Sequence, residues 1–223
     1  MKSPRKPKRM KSPARRDAIL AAVTPVFAAK GLHGATSSEL AAAAGVSEAL
    51  LYRHFTTKTG LYQAVGKQNA AARPLRPDMA RLLAMPPSTA RLVMGVHYLI
   101  DHLVQDAADQ MPRLFAQSLL GDGAFARQVQ VQFSADLLPF FQASIAAAGK
   151  AGDLRKDSDA NADLAVWLVH HFAMGLTLLS LPSAPLTGPG ASREAVVAEA
   201  VRFALRGLGL RATAIRKYYD AKG

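Results

Sequence analysis

The chain has 223 residues, half of them hydrophobic, which is enough length and apolar side chain for one large domain or two smaller ones and excludes global disorder. It has no cysteine, which excludes disulfides and thiolate metal sites and fits a reducing, cytoplasmic setting. The formal charge is +12, and eight of the 28 basic residues fall in residues 1–16 with no acid among them, so a polyanionic partner is expected, either DNA or an anionic lipid surface.

Residues 1–14 combine lysine and arginine with Pro4, Pro7 and Pro13 and almost nothing apolar. They read as a disordered basic arm. No apolar segment follows of the kind a secretory leader needs. Ser3-Pro4-Arg5-Lys6 resembles the Ser-Pro-basic-basic motifs of histone tails, which bind the minor groove; a solubilising tail accounts for the composition equally well. A helix is predicted over residues 15–30, with Ile19, Val23, Val26 and Phe27 on its core face. Pro25 predicts a kink in it, because proline removes one backbone bond and crowds the Ala21 carbonyl. Gly31 and Gly34 then turn the chain toward Thr36.

The most informative stretch is residues 36–61, TSSELAAAAGVSEALLYRHFTTKTGL. Thr36 and Glu39 stand three apart, as a capping box requires. Leu40, Ala41 and Ala44 offer a small inward face, Gly45 suits a helix end at positive φ, and Ser47 caps the next helix. Leu51 and Phe55 face inward with Val46, which leaves Ser47, Glu48, Ala49, Tyr52 and Arg53 outward. Two short helices joined this way form a helix-turn-helix, whose second helix enters a DNA major groove. A further helix starts near Lys58, capped by Thr57, with Leu61, Tyr62 and Val65 inward.

The pattern A-x3-G-V-S-x3-L-Y-x-H-F-x2-K-x2-L, running from Ala41 to Leu61, resembles the DNA-binding signature of the tetracycline-repressor-like (TetR) family. The resemblance implies an all-α fold: a three-helix DNA-binding head over residues 15–68, and a helical body over 69–223 that binds an effector and pairs with a second copy. It implies phosphate contacts from Tyr52, His54 and Lys58, with Thr36 beside them, and base reading from Ser38, Glu48, Ala49 and Arg53, next to Ser47. Glu48 is an acid on the DNA side, so it suits the N4 amine of a cytosine; an acid that merely favours the helix dipole is the plainer reading. His54 packing beneath Phe55 is likewise as good a reading as a phosphate contact. The usual acid after the lysine is replaced by Thr59 and Gly60, which implies a softer start to the fourth helix, the element expected to join head and body.

Pro74, Pro77, Pro86 and Pro87 then break the chain into short pieces. Beyond them Val93, Val96, Ile100 and Leu103 form one helical stripe, and Leu114, Leu119, Val129, Phe133, Leu137 and Phe141 continue it through two more helices. Asp159 is placed to cap a helix whose inward side would carry Leu164, Trp167, Leu168, His171, Gly175 and Leu178. Residues 164–181 are long and apolar enough to be weighed as a membrane span, but they hold His170, His171, Thr177 and Ser180 and read as a core or interface helix, with no membrane partner. A last helix is predicted over residues 192–206. The resemblance implies that the last two helices pair with their counterparts in a homodimer.

Met94, Tyr98, Met111, Phe115, Phe133, Trp167 and Met174 are more soft and aromatic side chains than a thin helical layer needs. They are expected to line a pocket for an apolar small-molecule effector, with His97 or His171 as the polar contact. His97 and Asp101, four apart, would make half a metal site, with His102 turned away; a partly solvated polar face is the preferred reading. There is no nucleophile–base pair, glycine-rich phosphate loop or complete ligand set, so neither an enzyme nor a bound metal or cofactor is expected. The sequence reads best as a ligand-released, dimeric repressor on a palindromic DNA operator. A helical metal-dependent enzyme, and a nonspecific binder of DNA or membrane surface acting through the arm, are the alternatives.

Overall fold

The computed structural model describes residues 12–71, 77–105, 110–156, 161–182 and 191–220. The expectations for residues 1–11, Pro74 and Asp159 lie outside them. Among the described residues the fold is all-α, with no strand beyond an isolated bridge between Leu154 and Leu210. The chain forms two compact units: one holds the residues up to Ala72 together with Arg113–Ala126, the other Arg73–Pro112 with Arg127–Gly223.

The first unit carries helices α1 (Ser12–Gly34), α2 (Ser37–Ala43), α3 (Glu48–His54) and α4 (Lys58–Ala71). α1 begins earlier than predicted: residues 12–14, read as part of the arm, are helical, with Pro13 in the first turn, where a missing N–H costs nothing. Pro25 lies inside α1, yet the departure from helical geometry comes at Gly31 (φ 67°, ψ −177°). Ile19, Val23, Phe27, Leu40, Leu51, Phe55, Leu61 and Val65 form the core of this unit. Tyr62 packs edge-on against Phe27 at 5.1 Å and donates to the Leu114 carbonyl at 3.4 Å. Leu114 and Phe115, from the returning segment, are buried in the same unit.

The remaining helices are α5 (Pro77–Ala84), α6 (Thr89–Gln105), α7 (Gln110–Leu119), α8 (Ala124–Asp136), α9 (Leu138–Lys150), α10 (Ala162–Leu179), α11 (Arg193–Gly207) and α12 (Ala212–Tyr218). In the second unit α6 is the central element, packed by α5, α9, α10, α11 and α12. Its Val93, Val96 and Ile100 are buried, as the stripe predicts, and Leu92 with them, while Leu103, the fourth residue of the stripe, is half-buried. Gly95 permits the approach of α9, since a Cβ there would lie 2.4 Å from the Phe140 ring. Arg91 is buried at the same joint, donating to the Met85 carbonyl at 2.6 Å and the Phe140 carbonyl at 3.1 Å.

Four expectations are corrected by the structure. Leu119 is exposed rather than part of the stripe. α12 follows the helix read as last, and Asn161 caps α10 through bonds from the backbone N–H groups of Asp163 and Leu164. The inward face of α10 is Val166, Val169, His170, Ala173, Met174 and Thr177; Leu164, Leu168 and His171 point outward. α10 is apolar nearly all round, so periodicity does not choose its face. Polar satisfaction helps fix it: Thr177 Oγ1 donates to the carbonyls of Leu103 (2.9 Å) and Ala173 (3.0 Å). Among the described residues α10 is the one helix long and apolar enough to cross a membrane, and it packs on α6 and α9.

His170 is 3% exposed against Phe133 (ring centroids 4.0 Å apart), and its Nδ1 has no hydrogen-bond partner. Burial, helped by the neighbouring His171, pushes its imidazole down from 6.5 to about 4. The unfolded chain therefore binds a proton on this ring at higher pH than the folded one. Its contribution to stability is full above pH 6.5 and is lost as pH falls toward 4, by about 2–3 kcal/mol. His170→Phe should remove that pH dependence, read from urea midpoints at pH 7 and pH 4.5 by Trp167 fluorescence. An unchanged dependence would place the titrating group elsewhere.

Candidate functional site

The capping box at α2 forms as its residues predict: Glu39 N donates to Thr36 Oγ1 (3.3 Å) and Thr36 N to Glu39 Oε2 (3.1 Å). Glu39 also accepts from Lys30 Nζ at 2.5 Å, which ties α1 to α2. Gly45 takes φ 62° and makes the turn, and Ser47 Oγ caps α3 through the Leu50 N–H at 3.2 Å. The Lys30 hydrogen bond, then those from Thr36, hold the Glu39 carboxyl down to about 2. Because the unfolded value is 4.5, this contribution to stability is present above pH 4.5 and lost as pH falls toward 2. Glu39→Gln should flatten the acid limb of unfolding in that window, measured by helical circular dichroism; an unaltered limb would discount the clasp.

Leu51 and Phe55 anchor α3, and Ser47, Glu48, Ala49 and Arg53 are exposed along it. Ser38 is exposed on α2, and Thr36 just before it. Tyr52 and His54 are half-buried, and the His54 ring lies 6.5 Å from that of Phe55. The open face of α3 thus carries a carboxylate, a methyl and a guanidinium, side chains that can meet base edges. Lys58 Nζ donates to the Ala35 carbonyl at 2.9 Å, so part of its donor capacity braces the start of α4. That start is also closed by Thr57 Oγ1, which accepts from Gly60 N at 2.9 Å despite the missing acid.

Two partners emerge that the sequence does not single out. Ser37 Oγ is hydrogen-bonded to the Tyr52 hydroxyl and links α2 to α3. Arg16 Nη1 donates to the His54 carbonyl at 2.6 Å, with its guanidinium 4.1 Å above the Phe55 ring. A cation at the C-terminal end of α3 is favourable with the helix dipole, so this member of the basic segment steadies the helix from behind.

The second unit contains a cavity of about 720 Å³. Its walls come from Asp78, Arg81 and Leu82 of α5, Met85, then Val93, Met94, His97, Tyr98, Asp101 and His102 of α6. Ala198 and Arg202 of α11, Tyr218 of α12, and Tyr219 and Asp220 complete it. Of the nine side chains expected around a pocket, Met94, His97 and Tyr98 line it. Phe115 is buried in the first unit and Met174 in the inward face of α10. Met111 is half-buried on α7. Phe133 and Trp167 pack together at 5.1 Å, with His171 stacked on Trp167 at 5.5 Å and bonded to Gln130 at 3.2 Å. Asp101, weighed beside His97 as a metal ligand, accepts from Arg193 Nη2 at 2.5 Å. His102, read as turned away, lines the same cavity and stacks on Tyr98. The walls are also more charged than expected: Asp78 and Arg81 come from α5, Asp101 from α6 and Arg202 from α11, and Asp220 follows α12.

Large apolar side chains lie exposed on the outer side of α10 and, at Phe203, of α11. Leu164, Leu168 and Leu179 are 56%, 59% and 44% exposed, and Phe203 is 63% exposed beside Phe172, at 5.1 Å between rings.

Comparison with known proteins bears on the head most directly. Residues 19–65 match the profile of the bacterial regulatory proteins of the tetR family. The HTH-type transcriptional activator FasR of Mycolicibacterium smegmatis is 43% identical over 61 residues, 27% of this chain and 28% of that protein, so the likeness spans little more than a quarter of the relative's length. A bacterial regulatory protein in the tetR family from Rhodococcus RHA1 superposes with a TM-score of 0.63 at 23% identity, covering 91% of this chain and all of that one. AibR, solved in complex with isovaleryl coenzyme A and operator DNA, gives 0.62 at 16% identity over 85% of this chain and 97% of its own. At these identities the two structures speak for a shared fold.

Proposed function

The chain belongs to the tetR family of bacterial regulatory proteins and is a DNA-binding transcriptional regulator, and from that premise we propose that it acts as a homodimeric repressor, released from a palindromic operator when a small molecule fills the α6–α12 cavity. The observation that carries this reading is the outer face of α3: Glu48, Ala49 and Arg53 stand free while Leu51 and Phe55 lock the helix into its core. The exposed stripe on α10 and α11 supports pairing with a second copy, since unpartnered apolar patches of this kind mark interfaces. A symmetric dimer reads two half-sites about 34–36 Å apart, or a multiple of that spacing. AibR, with its ligand and its operator in one complex, is a precedent for the fold serving both. FasR is an activator, but its likeness spans only 61 residues, 27% of this chain, too little to carry over the sign of regulation.

Selection of bound sequences from random DNA tests the reading. It should return one palindrome, released when a cavity ligand is added; retention of all sequences alike would leave a nonspecific binder. Tyr52, His54 and Lys58 then serve the phosphates and Glu48 a cytosine. Glu48→Gln should change discrimination at one symmetric base pair by about 1–3 kcal/mol, because the amide brings a donor where the carboxylate only accepts. The same base preference before and after the change would return Glu48 to its role as a helix-terminal acid.

A further inference from the structure

The cavity walls say more about what fits than its volume does. Five rings face it in two groups. Tyr98 and His102, one turn apart on α6, stack nearly parallel (15°) with centroids 5.6 Å apart. His97 meets Tyr219 at 5.9 Å across the gap between α6 and the end of α12, and Tyr218 stands beside it. Met85 and Met94 add thioethers, which pack favourably against aromatic rings. Ring faces and sulfur together select a flat, polarisable guest over a saturated one of equal size.

The charges settle the second property. Each carboxylate on the walls already has a guanidinium: Asp101 with Arg193 at 2.5 Å, Asp220 with Arg202 at 3.0 Å, and Asp78 with Arg81 at 3.9 Å. A charged guest would enter without a counter-ion of its own, or would have to break one of these pairs, and burying an unpaired charge is costly. Burial pushes the Tyr219 phenol up, so it remains a protonated donor at neutral pH.

We propose that the cavity binds a neutral, planar aromatic molecule bearing a hydrogen-bonding group, held between the Tyr98–His102 stack and Tyr219. This rests on the reading of the cavity as the effector site and gives that site its ligand class.

Four probes on one fused bicyclic framework test it on the full chain by isothermal titration calorimetry: 2-naphthol, its saturated counterpart decalin-2-ol, the anion 2-naphthoate, and the cation trimethyl(2-naphthyl)ammonium. 2-Naphthol should bind at least about tenfold more tightly than each of the others. Tyr219→Leu should weaken 2-naphthol about three- to tenfold and leave decalin-2-ol alone, while Tyr219→Phe should keep most of the aromatic preference. A charged probe that binds as well as 2-naphthol, a saturated probe that matches it, or no binding of any probe at millimolar concentration overturns the ligand class. Operator release is read in the same samples. 2-Naphthol that binds with the expected ranking but leaves operator affinity unchanged upholds the ligand class and removes the effector reading. Release by nonaromatic compounds alone does the reverse.

Discussion

Placing charge on the outer stripe of α10 and α11, with Leu168→Arg and Phe203→Asp together, is expected to give monomers and to weaken binding to a palindromic operator by at least about 100-fold. At about 100° per residue, Leu164, Leu168, Phe172, Gly175 and Leu179 fall within one narrow arc of α10, and Phe203 on α11 extends it sideways. In an isolated chain Leu168 and Phe203 are solvent-facing, where substitutions rarely change stability by more than about 0.5 kcal/mol. In a dimer the same side chains would be covered, and the new charges would be stranded without water. The two cases therefore separate cleanly: the double variant should keep its helical content and its midpoint in urea at low concentration, yet sediment as a monomer. Losing the second head turns one bivalent event into two independent weak ones, which is the source of the large fall in affinity. A double variant that remains dimeric would move the interface off this face.

Removing residues 1–11 is expected to lower the slope of log affinity against log salt by up to about 5, because six cations leave with them and each neutralised phosphate contributes about 0.9. Between 50 and 200 mM salt the full chain should then lose up to about 10³-fold more affinity than the truncated one. Arg15 and Arg16 stay behind on α1, and Arg16 is committed to the His54 carbonyl and the Phe55 ring, so it is not counted among the charges removed. The preferred operator sequence should be unchanged, since phosphate contacts position a protein without reading bases. Equal slopes for the two forms would mean that the arm stays off the DNA.

The head was legible because its instructions are local. Thr36 and Glu39, Gly45 and Ser47 each act within a few residues, and the caps and the turn form where those residues stand. The body was legible only where one face of a helix is clearly apolar, as on α6. On α10, Leu164 and Leu168 are as hydrophobic as Val166 and Val169, and the choice between faces is made by what packs against them. α12 escaped notice because seven residues with only Ala214 and Ile215 buried leave little periodicity to read. The cavity draws its walls from Asp78 to Asp220, and no spacing rule joins residues so far apart. The Tyr218–Tyr219 pair was the one available signal, two adjacent aromatic residues following an amphipathic turn.

The returning segment Arg113–Ala126 has a consequence for how this protein is made and reused. On the ribosome α1 to α4 emerge and cap themselves first, but Leu114 and Phe115, which are buried with them, and the carbonyl that Tyr62 reaches, arrive some forty residues after α4 is complete. The DNA-reading unit of a nascent chain thus waits for half the polypeptide before its core closes. A gene fusion that borrows residues 1–72 inherits the whole reading motif without the segment that finishes the packing beneath it.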